Sequence, residues 1–344
     1  MTELATRITR LLGIRYPIIQ EGMGPFKTSR IAAAVSAAGG LGTVSMPGMT
    51  KEPAEGSRLL RENIDQVAAL TDKPFAVNVP VGRTDNGAIL PVSEAYIRAV
   101  VAARISDPAL ATQLIALTTS AGFPGEFSGL IQDAGLIHMH KVGATKHAIH
   151  AEEAGVDVII ASGYEMGGHT HVKPVHTFVL VPNVTEAVSV PVVLSGGARD
   201  GRTLAAALAL GADGVAMGTR FIATTDNTDW HPAYAKRIVD AVEGDDVVFP
   251  AVYGPARGLR NAAVDRLHQI IEGNEMTIDE LTRWKDEGMI RAQENGDVDA
   301  GLLPAGQVAS AITDLVEIAA FVPRMADEAL AILQRLAGAS QSRS

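Results

Sequence analysis

Short runs of β-branched and apolar residues alternate with alanine-rich helical stretches along the first two-thirds of the chain. This alternation restricts the possible folds more than any other feature, because it is the mark of parallel βα units. Tyr16 to Met23 (YPIIQEGM) reads as a strand, and Ser29 to Gly39 as a helix closed by glycine. The pairs that follow are Leu41 to Met46 with Pro53 to Leu70, and Pro74 to Val81 (PFAVNVPV) with Ser93 to Arg104. Ala116 to Ser120 is a weaker fourth strand, and Gly135 to Val142 (GLIHMHKV) leads to a helix from Thr145 to Ala154. Val156 to Ser162 precedes a helix near Val184 to Ser189. Pro191 to Ser195 precedes one from Gly201 to Leu210, and Gly214 to Met217 begins an eighth strand. Eight units in about 220 residues, evenly spaced, favour an α/β chain folded as a (β/α)8 TIM barrel. Alternation alone also permits a doubly wound sheet.

After Phe221 the pattern changes. Residues 225–300 hold both tryptophans, Trp230 and Trp284, many charges and no clear strand, and they read as a helical excursion after strand eight. The expected organisation is therefore a barrel over 1–224, the excursion over 225–300, and closing helices over 301–344 that pack on the barrel. Ile278 to Ile290 (IDELTRWKDEGMI) is amphipathic. It reads either as a solvated helix covering one side of the barrel or as a lid over its mouth.

Composition bounds the function. A hydrophobic content of 47% with 20% charged residues allows a large core. The net charge of -10 argues against nucleic-acid or anionic-membrane partners. The absence of cysteine excludes disulfides, thiolate metal sites and cysteine nucleophiles. The N-terminal stretch has no signal-peptide layout, and no run approaches the ~18 apolar residues of a membrane helix. A cytoplasmic protein acting on a small molecule is expected, and a homo-oligomer stays open.

Active sites of such barrels gather at the C-terminal ends of the strands, and four stretches stand out there. Ser195-Gly196-Gly197-Ala198 and Met217-Gly218-Thr219-Arg220-Phe221 end strands seven and eight. Loops at these positions often hold a phosphate on free backbone N–H groups, although glycines also simply end strands. Gln20-Glu21-Gly22-Met23-Gly24-Pro25 ends strand one and suits either a flat ring against the backbone or a plain turn. Asn78 and Lys141 project from apolar strands, and Lys141 could neutralise a phosphate, a reduced flavin or an oxyanion. Gly163, Gly167 and Gly168 precede His169, a candidate for proton transfer near neutral pH.

Two HxH pairs, His138-Met139-His140 and His169-Thr170-His171, raise the question of a metal. Metal-dependent barrel hydrolases place such a pair on the first strand, which here offers none, so no metal is expected. His147, His150, His176, His231 and His268 read as surface or helix-end residues.

These residues together resemble the FMN-dependent barrel oxidoreductases that include nitronate monooxygenases (formerly 2-nitropropane dioxygenases), NADH:quinone reductases and FMN-type enoyl-ACP reductases. The likeness runs through LGIRYPIIQEGM, AAAVSAAGGLGTVS, LTDKPFAVNV, VIIASGYEMGGH, VPVVLSGGARDGRTLAAALALGADGVAMGTRFIAT and LLPAGQ. It implies FMN, its phosphate held by Gly196, Gly197, Gly218 and Thr219. Its ring would lie near Gly22, Met23, Gly24, Asn78, Lys141, Gly167 and Gly168, with Ser162 and Met217 also at the cofactor. It implies that His169 is the base that takes a proton from a nitroalkane, with the nitronate then oxidised to a carbonyl compound and nitrite using O2. The rival within the family is an NAD(P)H-dependent reductase of quinones or enoyl thioesters. A flavin-free barrel acting as a binding protein or phosphosugar isomerase is the alternative outside it. Two departures bear on the substrate. Ser162 stands where the quinone reductases often have aspartate, and HVKPVH after GGH differs from the common nitronate monooxygenase loop.

Overall fold

The structure is a computed structural model and describes residues 4–25, 27–84, 86–251 and 254–341. The outer ends of the first and last expected segments, 1–3 and 342–344, lie outside the described residues. Eight parallel strands carry the fold: β1 (Ile18–Gln20), β2 (Gly42–Ser45), β3 (Phe75–Val81), β4 (Leu114–Ala121), β5 (Ile137–Val142), β6 (Val158–Ser162), β7 (Val192–Ser195) and β8 (Gly214–Met217). Each pairs with its sequence neighbour from β2 to β8, and β8 pairs with β1. The ring closes where Ile19 bridges Leu41 and Gln20 N–H donates to the Leu41 carbonyl at 2.8 Å. The expected (β/α)8 barrel is therefore the observed one.

Alternation along the strands sorts the core. Ile19, Leu41, Ala76, Ala116, Met139, Val158, Ile160, Val193 and Ala216 form one buried cluster with Ile8 and Leu12. The last two belong to a short helix, Arg7–Leu12, that plugs the barrel opposite the strand ends. Its capping box between Thr6 and Thr9 and left-handed Gly13 define its ends. Residues one step along each strand face outward and pack under the surrounding helices, such as Pro53–Leu70 and Gly201–Ala209.

The helix expected near 184–189 runs from Thr177 to Ala187 and contains Pro182. That proline removes the hydrogen bond to the carbonyl of Phe178, whose side chain is exposed, so solvent can replace the missing donor. The excursion also departs from expectation. It holds the helices Pro232–Val239, Ala262–Glu272 and Ile278–Asn295, but also two strands, Asp246–Phe249 and Ala256–Leu259. These form a hairpin, and Gly168–His169 adds to it as a third antiparallel strand. Asp246 and Arg257 are a buried ion pair, and neither has the apolar alternation that marks a strand in sequence. The closing helix, Ile318–Gln341, packs on Gly201–Ala209. Among the described residues no helix is long and apolar enough to cross a membrane.

Candidate active site

Parallel register puts the expected residues side by side. Ser195 pairs with Ala216 and Ser162 with Ser195, so Gly196-Gly197 leaves the barrel next to Met217-Gly218. Gln20 pairs with Met217, which brings Gly22 to Gly24 to the same rim. The strand ends open into a cavity of about 1150 Å³. Gly22, Met23, Gly24, Asn78, Lys141, Gly167, Gly168, His169, Gly196, Gly197, Met217, Gly218 and Thr219 all line it. Ser162 does not: it is fully buried behind the wall at the end of β6, and its hydroxyl has no partner among the described residues.

Most of the glycines answer to the chain's own geometry. A Cβ on Gly22 would lie 2.3 Å from the Asn78 side chain, and one on Gly167 would lie 2.5 Å from the backbone of Ala305 and Gly306. Gly196 and Gly197 have φ of +98° and +85°, and open space lies beside Gly197. The helix that follows does not leave its N-terminus free, because Asp200 caps it by accepting from Thr203 N–H at 3.0 Å. An anion between the two turns must therefore rely on the turn amides themselves. The Thr219 hydroxyl accepts from Gly306 N–H at 2.9 Å, which draws the LLPAGQ segment into the wall.

His169 sits on the strand that joins the excursion hairpin. Ala256 pairs with His169 and Arg257 with Gly168, and Thr170 N–H donates to the Pro255 carbonyl at 2.9 Å. Arg257 is buried; its guanidinium binds Asp246, donates to the Tyr164 carbonyl at 3.1 Å and stacks 4.8 Å from the Tyr164 ring. The His169 side chain is solvent-exposed, with its open side toward the cavity, and the protein packed around the ring partly desolvates it. That desolvation, with the charge of Lys285 nearby, pushes its pKa down to about 4. The imidazole is neutral at pH 7 and able to accept a proton.

The charge expected of Lys141 is already engaged. Its ammonium lies 2.6 Å from Glu21 Oε2, both side chains being largely buried, while Glu21 Oε1 has no partner among the described residues. Asn78 donates to the Thr118 carbonyl at 3.3 Å. The two HxH pairs do different jobs. His138 and His140 lie on the outward face of β5, both hydrogen-bonded to Thr119 Oγ1 at 2.8 Å. His171 packs its ring on Gly143, where a Cβ would fall 1.8 Å away. His147, His150, His176 and His231 are exposed; the last two stand at helix N-termini, where the His231 ring accepts from Ala233 N–H.

Sequence reasoning left a lid over the mouth as one reading of Ile278 to Ile290 but named none of the residues that the helix Ile278–Asn295 brings to the cavity. Thr282, Lys285, Asp286 and Met289 face the cavity, with Lys285 only 6% exposed. A lysine and an aspartate inside IDELTRWKDEGMI look like any solvated charges until the helix is docked. Glu21 was quoted beside Gly22 but not assigned a role; its place directly after a strand was the available signal.

Comparisons with known proteins agree with this geometry. A family model described as nitronate monooxygenase matches residues 5–328. A Mycobacterium tuberculosis protein named (3aS,4S,5R,7aS)-5-hydroxy-7a-methyl-1-oxo-octahydro-1H-indene-4-carboxyl-CoA dehydrogenase is 33% identical over 96% of this chain and 98% of its own. A probable nitronate monooxygenase of Staphylococcus saprophyticus is 32% identical over 78% of this chain and 82% of its own. Among solved structures, FabK from Thermotoga maritima superimposes with a TM-score of 0.84 at 33% identity, covering 97% of this chain and 99% of that one.

Proposed function

The chain belongs to the nitronate monooxygenase family of oxidoreductases, which is flavin-dependent in general, and from that membership we propose an FMN-dependent enzyme that oxidises nitroalkanes or their nitronates. The observation that carries this reading is a neutral His169, held on the excursion hairpin, that lines a large cavity at the strand ends. The residues fit the cofactor. Gly196, Gly197, Gly218 and Thr219 offer adjoining turns at the cavity for a phosphate, with open space beside Gly197, and Gly22 to Gly24, Asn78 and Gly167 to Gly168 line the space for a ring. FMN, when bound, supplies the electron acceptance and the reaction with O2.

The protein's own work is proton transfer and placement. His169 takes the proton from the carbon next to the nitro group, and its hairpin fixes the ring over the substrate. The Glu21–Lys141 pair keeps the floor of the site near neutral and leaves one carboxylate oxygen as an acceptor. Residues 225–300 act in this reading as a lid whose helix Ile278–Asn295 shields the reaction from water.

A second reading, NAD(P)H-dependent reduction of quinones or enoyl thioesters at the same FMN site, is favoured by the outer part of the cavity. It carries Arg83, Lys146, His147 and Lys173 on a chain of net charge -10, a rim suited to a phosphate-bearing substrate or reductant. Anaerobic mixing decides between the two. Rapid bleaching of the bound flavin by ethylnitronate with none by NADH or NADPH supports the first reading, and the reverse supports the second. A protein that takes up no FMN on reconstitution defeats both.

A further inference from the structure

Lys285 is a buried ammonium that no carboxylate contacts directly among the described residues. Among the described residues it has neither an ion pair nor a hydrogen bond, whereas Lys141, Arg220 and Arg257 are each paired with a carboxylate. Its helix neighbour Asp286 offsets the charge only partly. Asp286 accepts a hydrogen bond from the Thr50 hydroxyl at 3.1 Å through its Oδ2 and makes no ion pair with Lys285 among the described residues. The buried face that carries Lys285 is otherwise made of Gly288, Ala292 and Gln293. An unpaired charge in such a place is costly to hold and destabilises the fold unless something compensates it. The side that remains open is the cavity, where Lys285 lies close enough to His169 to lower the pKa of that imidazole. Burial brings Lys285 itself down to about 8, so at pH 7 the charged form still prevails.

We propose that Lys285 is a catalytic residue: its ammonium receives the substrate oxygen on which negative charge appears when His169 removes the neighbouring proton. The inference rests on the reading of His169 as the base. In the step the carbon–hydrogen bond breaks and the proton goes to a ring nitrogen of His169. The electron pair moves into the adjoining nitro or carbonyl group, and the charge comes to rest on oxygen beside Lys285. No oxidant is consumed in the step. An ammonium already fixed and desolvated favours the anion far more than one in water. His169 and Asp286 are the titratable groups that face it.

The test is the holoenzyme with Lys285→Met, Lys285→Gln and Lys285→Arg, probed with nitrate as a planar oxyanion by titration calorimetry at pH 7. Wild type should bind nitrate. Met or Gln should weaken it about tenfold to a hundredfold, the range of one charge-assisted hydrogen bond, and Arg should retain most of it. Gln keeps the side-chain length and serves if Met does not fold. Loss of the positive charge should also raise the His169 pKa followed by NMR. No nitrate binding by wild type, or equal affinity in wild type and the uncharged variants, overturns the proposal. Failure of the His169 reading is separate: it would appear as equal losses by His169→Asn on a nitroalkane and on its preformed anion.

Discussion

The backbone of Ala256 is paired with that of His169. The excursion after the eighth strand therefore holds the candidate base from outside the barrel, while the adjoining loop is held by Arg257 through the Tyr164 carbonyl. Lys285 reaches the same cavity from the excursion's last helix. Two elements that line the same cavity thus depend on one insertion. Its detachment would misplace both without touching the cofactor turns after β7 and β8.

Arg257→Ala should separate these parts. It leaves Asp246 buried without its partner, an arrangement that costs about 3–5 kcal/mol. Urea denaturation should show that loss. Turnover should fall beyond what reduced occupancy of the folded state explains, while FMN affinity changes less than threefold, roughly 0.6 kcal/mol. A variant with wild-type turnover would mean that the hairpin does not set the His169 geometry.

His169→Asn should retain FMN and reduce kcat/KM on a neutral nitroalkane by about 10²- to 10⁴-fold, with a much smaller loss on the nitronate. The pH profile on the neutral substrate follows from the same environment. The free-enzyme imidazole titrates near 4, so kcat/KM should hold from pH 7 to about 5 and fall only as the pH drops through about 4. Under the Lys285 proposal a second limb appears as the pH rises through about 8. An acid limb centred at 6.5 would place His169 in water rather than in the desolvated site.

The barrel was legible because its signals are local. Pro53–Leu70 and Gly214–Met217 appear at the bounds their periodicity predicts. The first strand was read too long: Tyr16 to Met23 shortens to Ile18–Gln20, since beyond Gln20 the chain leaves the sheet to form the rim. What was not legible is tertiary. The two-residue strand Gly168–His169 exists only because the hairpin offers it an edge. The engagement of Lys141 depends on Glu21 crossing the barrel mouth, and the position of Lys285 depends on how its helix docks. The resemblance places the glycine pair before His169 beside a flavin ring. In the structure Gly167 is required by the approach of Ala305 and Gly306, and Gly168 by its φ of +73°.

That distinction can be measured. Gly167→Ala should displace the LLPAGQ segment, because the added methyl carbon meets backbone atoms 2.5 Å away that have no flexible side chain to yield. A loss of about 1–3 kcal/mol is expected, as for overpacking in a core. Gly129→Ala is the control. It lies in the helix Ser128–Asp133 with open space around its Cβ, and should stabilise by about 0.5–1 kcal/mol. Comparable stability of the two variants would show that the 305–306 backbone moves freely.

His138 and His140 should make stability depend on pH in a definite direction. Both are buried against Thr119, and burial lowers their pKa values to about 4 and about 3. Thr119 has one hydroxyl proton for two imidazoles, so when it donates to one and accepts from the other, the accepting ring must be neutral, and burial disfavours charge on either. In the unfolded chain each histidine titrates near 6.5, so between about 4 and 6.5 the unfolded state binds protons that the native state does not. Stability from this pair is therefore fully present above pH 6.5 and declines as the pH falls through that window. Each ring contributes about 1.4 kcal/mol per pH unit at most, which makes roughly 4 kcal/mol for the pair between pH 7 and 5. Urea midpoints measured across that range, with His138→Gln as a variant that should lose about half the slope, check the sign and the size. A midpoint that stays level from pH 7 to 5 would mean that the native state accepts these protons, and the shared Thr119 hydroxyl could not then be what orders the two rings.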